Sequence, residues 1–134
     1  MATEATRTAE FLKALRARVG PLADVTKYND RSTSGTPDAS LTAFGRTIWM
    51  EFKHRKTDMI LPELLTQTNR RSKLQIHRLW RLHYASHGRA FLVVFEKDRS
   101  VSLVAVLTHG VPTFRVTATG TVSEVIAHLL ALCH

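Results

Sequence analysis

Glu51 and Lys53 stand two residues apart in the apolar run Ile48-Trp49-Met50-Glu51-Phe52-Lys53-His54, and Asp38 follows Pro37 thirteen positions before the glutamate. Two carboxylates are hard oxygen donors of the kind magnesium takes, since that ion keeps several waters and needs only one or two carboxylates with a carbonyl. A metal held there can polarise a phosphate oxygen and make a bound water more acidic. A lysine beside it can stabilise the negative charge that builds up as a phosphate is attacked. Those are the requirements of phosphodiester hydrolysis. The plainer reading of Glu-x-Lys is a surface ion pair of little energetic consequence. The apolar run argues for a central strand instead, in which alternation puts Trp49, Glu51 and Lys53 on one face and Met50 and Phe52 on the other.

These residues need elements to carry them. Phe11, Leu12, Leu15 and Val19 have one-faced helical spacing, so a helix is expected from about Thr6 to Val19, ended by Gly20-Pro21. Leu22 to Tyr28 reads as a first strand, followed by the polar loop NDRSTSGTP. Asp38 to Thr42 reads as a second strand, AFGR as a turn and Thr47 to Lys53 as a third strand. The segment KTDMILPELLTQTNRRS is too apolar for a free loop, yet Pro62 interrupts a long helix, so it reads as an arm packed on the body or on a partner subunit. Ser72 to His87 reads as a helix with Ile76, Leu79, Trp80 and His83 on one face, stopped by Gly88. RAFLVVFE, SVSLVAVL and TFRVTAT read as three further strands, and Thr121-x-x-Glu124 as the capping box of a last helix. The expected class is α/β in one domain covering residues 1–134.

The chain has 134 residues, 44% of them hydrophobic, which suits one globular domain with a single core. No apolar run is long enough to cross a bilayer, and the first twenty residues lack the pattern of a secretory signal, so no membrane partner and a cytoplasmic setting are expected. A single cysteine, Cys133, excludes a disulfide framework and a cysteine zinc cluster. Nineteen Lys and Arg against eleven Asp and Glu leave a formal charge of +8, which points to a polyanionic partner, nucleic acid first.

Pro37-Asp38 followed by Glu51-Phe52-Lys53, in the order helix, three-stranded meander, helix, strand, resembles the PD-(D/E)xK nuclease superfamily. The stretch LQIHRLWRLHYASHGRAFLVVF is similar to the virus-type replication–repair (VRR-NUC) nucleases and the Holliday-junction resolvases, where a glutamine opens the helix after Glu-x-Lys and a glycine closes it. The likeness runs from the first helix to the strand ending near Glu96. It implies a restriction-endonuclease-like core with extra C-terminal strands and a terminal helix. It also implies a magnesium-dependent DNA endonuclease of repair or recombination, with manganese as a substitute ion. Asp38 and Glu51 would then bind metal with the Phe52 carbonyl, Lys53 would assist the attacking water, and Gln75 would orient substrate or water. A further acidic ligand is expected from the first helix, Glu10 in preference to Glu4. One small domain favours recognition of a junction, flap or branch over a long sequence, and resemblance to resolvases implies a homodimer through MILPELL or the late strands. The competing reading is a non-catalytic nucleic-acid-binding module or phage accessory protein on the same fold.

Other residues carry weaker signals. Arg71, Gln75 and Arg78 recur on one stripe of the second helix, with Arg70 and Lys73 close by. They read as a phosphate track reinforced by the helix N-terminus, or more plainly as a solvated basic face. Lys27, Arg31, His54, Arg55 and Lys56 flank the same region, and Arg55 and Lys56 are taken as further DNA contacts. His83 and His87 have chelating spacing but no third ligand at motif spacing, so they read as ordinary histidines. No nucleophile elbow or glycine-rich phosphate loop is present, and Trp49 and Trp80 read as core.

Overall fold

The computed structural model describes residues 3–28, 36–55, 70–108 and 110–134, with residues 70–73 described by their main chain alone. It is a mixed α/β fold with three helices and one six-stranded sheet among the described residues. Helix α1 (Glu4–Val19) begins at Thr3, whose hydroxyl accepts the Thr6 N–H at 3.1 Å, and ends at Gly20 in the left-handed region at φ 75°. The turn that follows leaves Leu22 almost wholly exposed, so strand β1 is shorter than expected, Asp24–Lys27.

Strands β2 (Ala39–Ala43) and β3 (Arg46–His54) form a hairpin joined by Phe44 and Gly45. Both take positive φ, 54° and 75°, as a two-residue hairpin turn that follows the twist of its strands requires. Helix α2 (Arg70–Ala85) crosses over to β4 (Ala90–Phe95), which lies parallel to β3. Strands β5 (Val101–Thr108) and β6 (Thr113–Gly120) continue the sheet antiparallel, and helix α3 (Val122–Ala131) closes the chain. The sheet order is the chain order, β1 to β6. Both halves of the expected capping box are formed: the Glu124 N–H donates to the Thr121 hydroxyl at 3.2 Å, and the Thr121 N–H donates to the Glu124 carboxylate at 3.0 Å. No helix among the described residues is long and apolar enough to cross a membrane. The expected arm through MILPELL, along with Arg31, Lys56 and His109, lies outside the described residues.

The sheet separates two apolar layers. On one face Phe11, Leu12 and Leu15 of α1 and Val125, Ile126 and Leu129 of α3 cover Leu41, Ile48, Met50, Phe52, Val93, Phe95 and Leu103. On the other, Ile76 and Leu79 of α2 cover Leu92, Val94, Val104 and Val106, with Trp49 and Trp80 at the margin. Strand β4 contributes to both layers, which is why it reads as a continuous apolar run. Phe52 is the keystone of the first layer. Its ring stacks on Phe95 with centroids 5.7 Å apart and meets the edge of Phe11 at 5.7 Å. With Phe52 anchored below the sheet, Glu51 and Lys53 on either side must point to the α2 face.

Phe52→Ala is expected to lower the unfolding free energy by about 3–5 kcal/mol, through lost burial and the cavity left between Phe11 and Phe95. Urea denaturation followed by fluorescence checks this, with Phe52→Leu expected to lose much less.

Candidate active site

The antiparallel register of β2 and β3 pairs Ala39 with Met50, so the next position places Asp38 across from Glu51. Residues opposite one another in an antiparallel pair share a face. The aspartate and glutamate therefore lie on the same side of the sheet, where α2 packs. One position further, Pro37 falls across from Phe52. Proline has no N–H, so the ladder cannot continue through it. The Phe52 N–H, which a continued ladder would give to the Pro37 carbonyl, goes instead to the Asp38 side chain, whose Oδ2 accepts it at 2.9 Å. Within a strand the N–H and C=O of one residue point to the same edge. The Phe52 carbonyl thus also faces the Asp38 side, and Pro37 offers it no donor. Asp38 is held from its other flank as well, because its own carbonyl accepts the Tyr28 N–H at 2.8 Å.

Glu51 is buried, and its Oε1 has no hydrogen-bond partner among the described groups. Its pKa is pushed up from 4.5 to about 9, by burial first, then by the negative charge of Asp38 and a hydrogen bond between the two carboxyl groups. The positive charge of Lys53 acts the other way and is outweighed. A buried acceptor with no donor is costly and calls for an explanation. A divalent cation supplies one. It would take the orphaned oxygen, cancel the repulsion between the carboxylates and displace the proton. Asp38, Glu51 and the Phe52 carbonyl are all oxygen donors, which suits magnesium better than softer metals. Among the described residues no group of three or more His, Cys, Asp or Glu is arranged to hold a metal, so main-chain oxygen and water would complete the shell.

Lys53 lies on the same face and its Nζ donates to Gln75 Oε1 at 3.2 Å. Gln75, buried on α2, retains both amide N–H donors of its side chain. Asp38, Glu51, Lys53 and Gln75 therefore form one cluster, built by β2, β3 and α2 at the end of the sheet where the parallel strands finish.

The remaining expected residues divide. Of the two α1 glutamates, both exposed, Glu4 is the one whose charge reaches Glu51, while Glu10 acts on Arg7. Glu4 extends the inward stripe of Thr8, Phe11 and Leu15 by one turn, a spacing of i, i+4, i+7 and i+11 that was already readable. Arg55, expected to contact DNA, is engaged internally: its guanidinium forks onto Glu96 at 2.6 and 2.9 Å. Arg78 is exposed while Gln75 is buried, so the basic stripe of α2 is divided between solvent and the site. Arg70, Arg71 and Lys73 lie in the first turn of α2, and their side chains are outside the description. Trp49 and Tyr28 stack near the site with centroids 6.1 Å apart, and the Tyr28 hydroxyl meets Ser40 at 2.8 Å. Tyr28 had no functional reading in the sequence, because its link to Asp38 exists only through strand pairing. No protein-family model matches the chain, and no curated protein matches it.

Between pH 4.5 and about 9 the folded protein keeps a proton on Glu51 that the unfolded chain has released. The contribution of this group to stability is whole below 4.5 and is lost as pH rises toward 9. A glutamine cannot ionise and escapes that loss. Without divalent ions, Glu51→Gln should melt a few °C above the parent at pH 8 and close to it at pH 5. Calorimetry at both pH values decides, and an equal difference at the two would mean that Glu51 is not held protonated by its surroundings.

Proposed function

We propose that this protein is a magnesium-dependent DNA endonuclease, with manganese able to replace magnesium, and that it selects branched, flapped or junction DNA by shape. The observation that carries this reading is the buried Glu51 carboxyl with its orphaned Oε1, paired with Asp38 beside a lysine. An apolar core gains nothing from two carboxyl groups set against each other. A site for a cation does.

Asp38 and Glu51 hold the ion with the Phe52 carbonyl, and the Phe52 N–H keeps Asp38 from rotating away. When bound, a divalent ion supplies a Lewis acid for the phosphate and a more acidic water. Lys53 presents a positive charge on the same face for the phosphate oxygens, where negative charge grows during attack. Gln75 fixes the lysine through Oε1 and offers its amide protons to the substrate. The formal charge of +8 supplies sequence-independent attraction to the backbone of nucleic acid. The succession α1, the meander β1 to β3, α2 and β4 follows the order expected of a restriction-endonuclease-like core, with a helix on each face of the sheet. Strands β5 and β6 and helix α3 are then additions to it.

The test uses labelled single-stranded, duplex, flapped and four-way DNA with magnesium, manganese or EDTA. Cutting should require the ion, and Asp38→Asn and Lys53→Ala should each lose roughly a hundredfold or more. Tight binding by the parent with no cutting in either metal would replace the enzyme with a binding module.

A further inference from the structure

The hairpin joining β4 to β5 stands beside the proposed site. Lys53 pairs across from Val94, the Arg55 N–H donates to the Phe95 carbonyl at 2.9 Å, and the chain then turns through Glu96-Lys97-Asp98-Arg99-Ser100. Helix α1 ties the two places together. From its first turn the charge of Glu4 reaches Glu51, and three residues on Arg7 donates to the carbonyls of Glu96, at 2.6 Å, and Ser100, at 3.4 Å. Arg99 is close enough to Arg7 that, after burial, its charge is the next cause lowering the Arg7 pKa.

The acids of this hairpin are already engaged. Glu96 receives the fork of Arg55 and the Ser102 hydroxyl at 3.0 Å. Asp98 Oδ1 receives the Ser100 N–H at 3.0 Å and hydroxyl at 2.6 Å. Arg99 is exposed, and among the described residues its guanidinium makes no hydrogen bond or ion pair. Its backbone is in the left-handed region, at φ 72°, in a hairpin closed by Glu96 N–H to Ser100 O at 2.9 Å and Arg99 N–H to Glu96 O at 3.2 Å. That is a position where glycine or asparagine folds with less strain. Phe44 and His87 also take positive φ, but Phe44 packs on His134, and His87 lies in the turn after α2, just before Gly88. Arg99 differs from both. It places a charge at a conformational cost, beside the site, with no guanidinium hydrogen bond or ion pair among the described residues in return.

We propose that Arg99, at the tip of the β4–β5 hairpin, binds a backbone phosphate of the nucleic-acid strand beyond the scissile position, on the side of the site nearest the first turn of α1. This rests on the nuclease reading and extends it, by fixing the side on which the strand leaves the site. Arg7 pins the hairpin through main-chain carbonyls, and Arg55 holds Glu96 so that its charge does not capture the arginine tip.

Arg99→Gly separates function from folding because glycine suits the backbone there. Binding of a fluorescein-labelled flapped duplex is followed by anisotropy across a salt series, with calcium in place of magnesium to prevent cutting. Arg99→Gly should melt at or above the parent temperature, bind roughly three- to tenfold more weakly, and show a log–log salt slope shallower by about 0.9, or about 0.7 if the strand is single there. Arg99→Lys should restore most of the slope. An unchanged affinity and slope in Arg99→Gly overturns the proposal, as does weakened binding accompanied by a lowered melting temperature that lysine does not rescue. Metal-dependent cutting by the parent is read separately, so the nuclease reading can stand while this one fails.

Discussion

One hydrogen bond organises the site: the Phe52 N–H to the carboxylate of Asp38 at 2.9 Å. It forms where the β2–β3 ladder stops, with the Asp38 carboxylate accepting in place of the Pro37 carbonyl. A side chain completes what a backbone group would have done, and in doing so it is aimed across the hairpin at Glu51. Phe52 can serve as this anchor because its ring is locked below the sheet by Phe11 and Phe95. The aromatic layer on one face thus sets the position of the carboxyl pair on the other. Moving Phe11 or Phe95 would be felt at the carboxyl pair without touching it.

The electrostatics follow from that placement. Burial raises the cost of a charge on Glu51, the neighbouring aspartate raises it further, and a lysine on the same face does not recover the difference. The folded chain therefore stores an unfavourable arrangement that a divalent ion would relieve. The rest of the molecule is strongly basic, so the acidic spot sits inside a field that draws polyanions. On the proposed reading a phosphodiester would use both: attraction over distance from the basic charge, and at the point of attack a cation held by oxygen.

The basic groups at the rim do not all serve alike. Arg55 and Arg7 act inward, one on the Glu96 carboxylate and the other on main-chain carbonyls of the β4–β5 hairpin. Their positive charge shapes and supports the hairpin while the arginine at its tip faces outward. Counting cations along the sequence does not separate these roles. Partner atoms do, and they come from strands far away in the chain.

Much was legible in the residues themselves. Period-two alternation in IWMEFKH assigned faces to Glu51 and Lys53, and the helical stripes, the capping box and the turn at Phe44-Gly45 located the elements within a few residues. Those features are local, set by a few neighbouring side chains and by backbone sterics. Less was legible at longer range. Leu22 belongs by composition with the strand that follows it, yet Gly20-Pro21 turns the chain and leaves it outside. Nothing near Arg55 in the chain announces its fork onto Glu96, because the two meet only through the pairing of β3 with β4. The sequence alone determined which residue types could do this chemistry and which face of its own strand or helix each would occupy. Tertiary structure decided which of them meet, because strand register and the α2 crossover join positions that are remote in the chain, and the buried pair draws its altered acidity from that meeting alone.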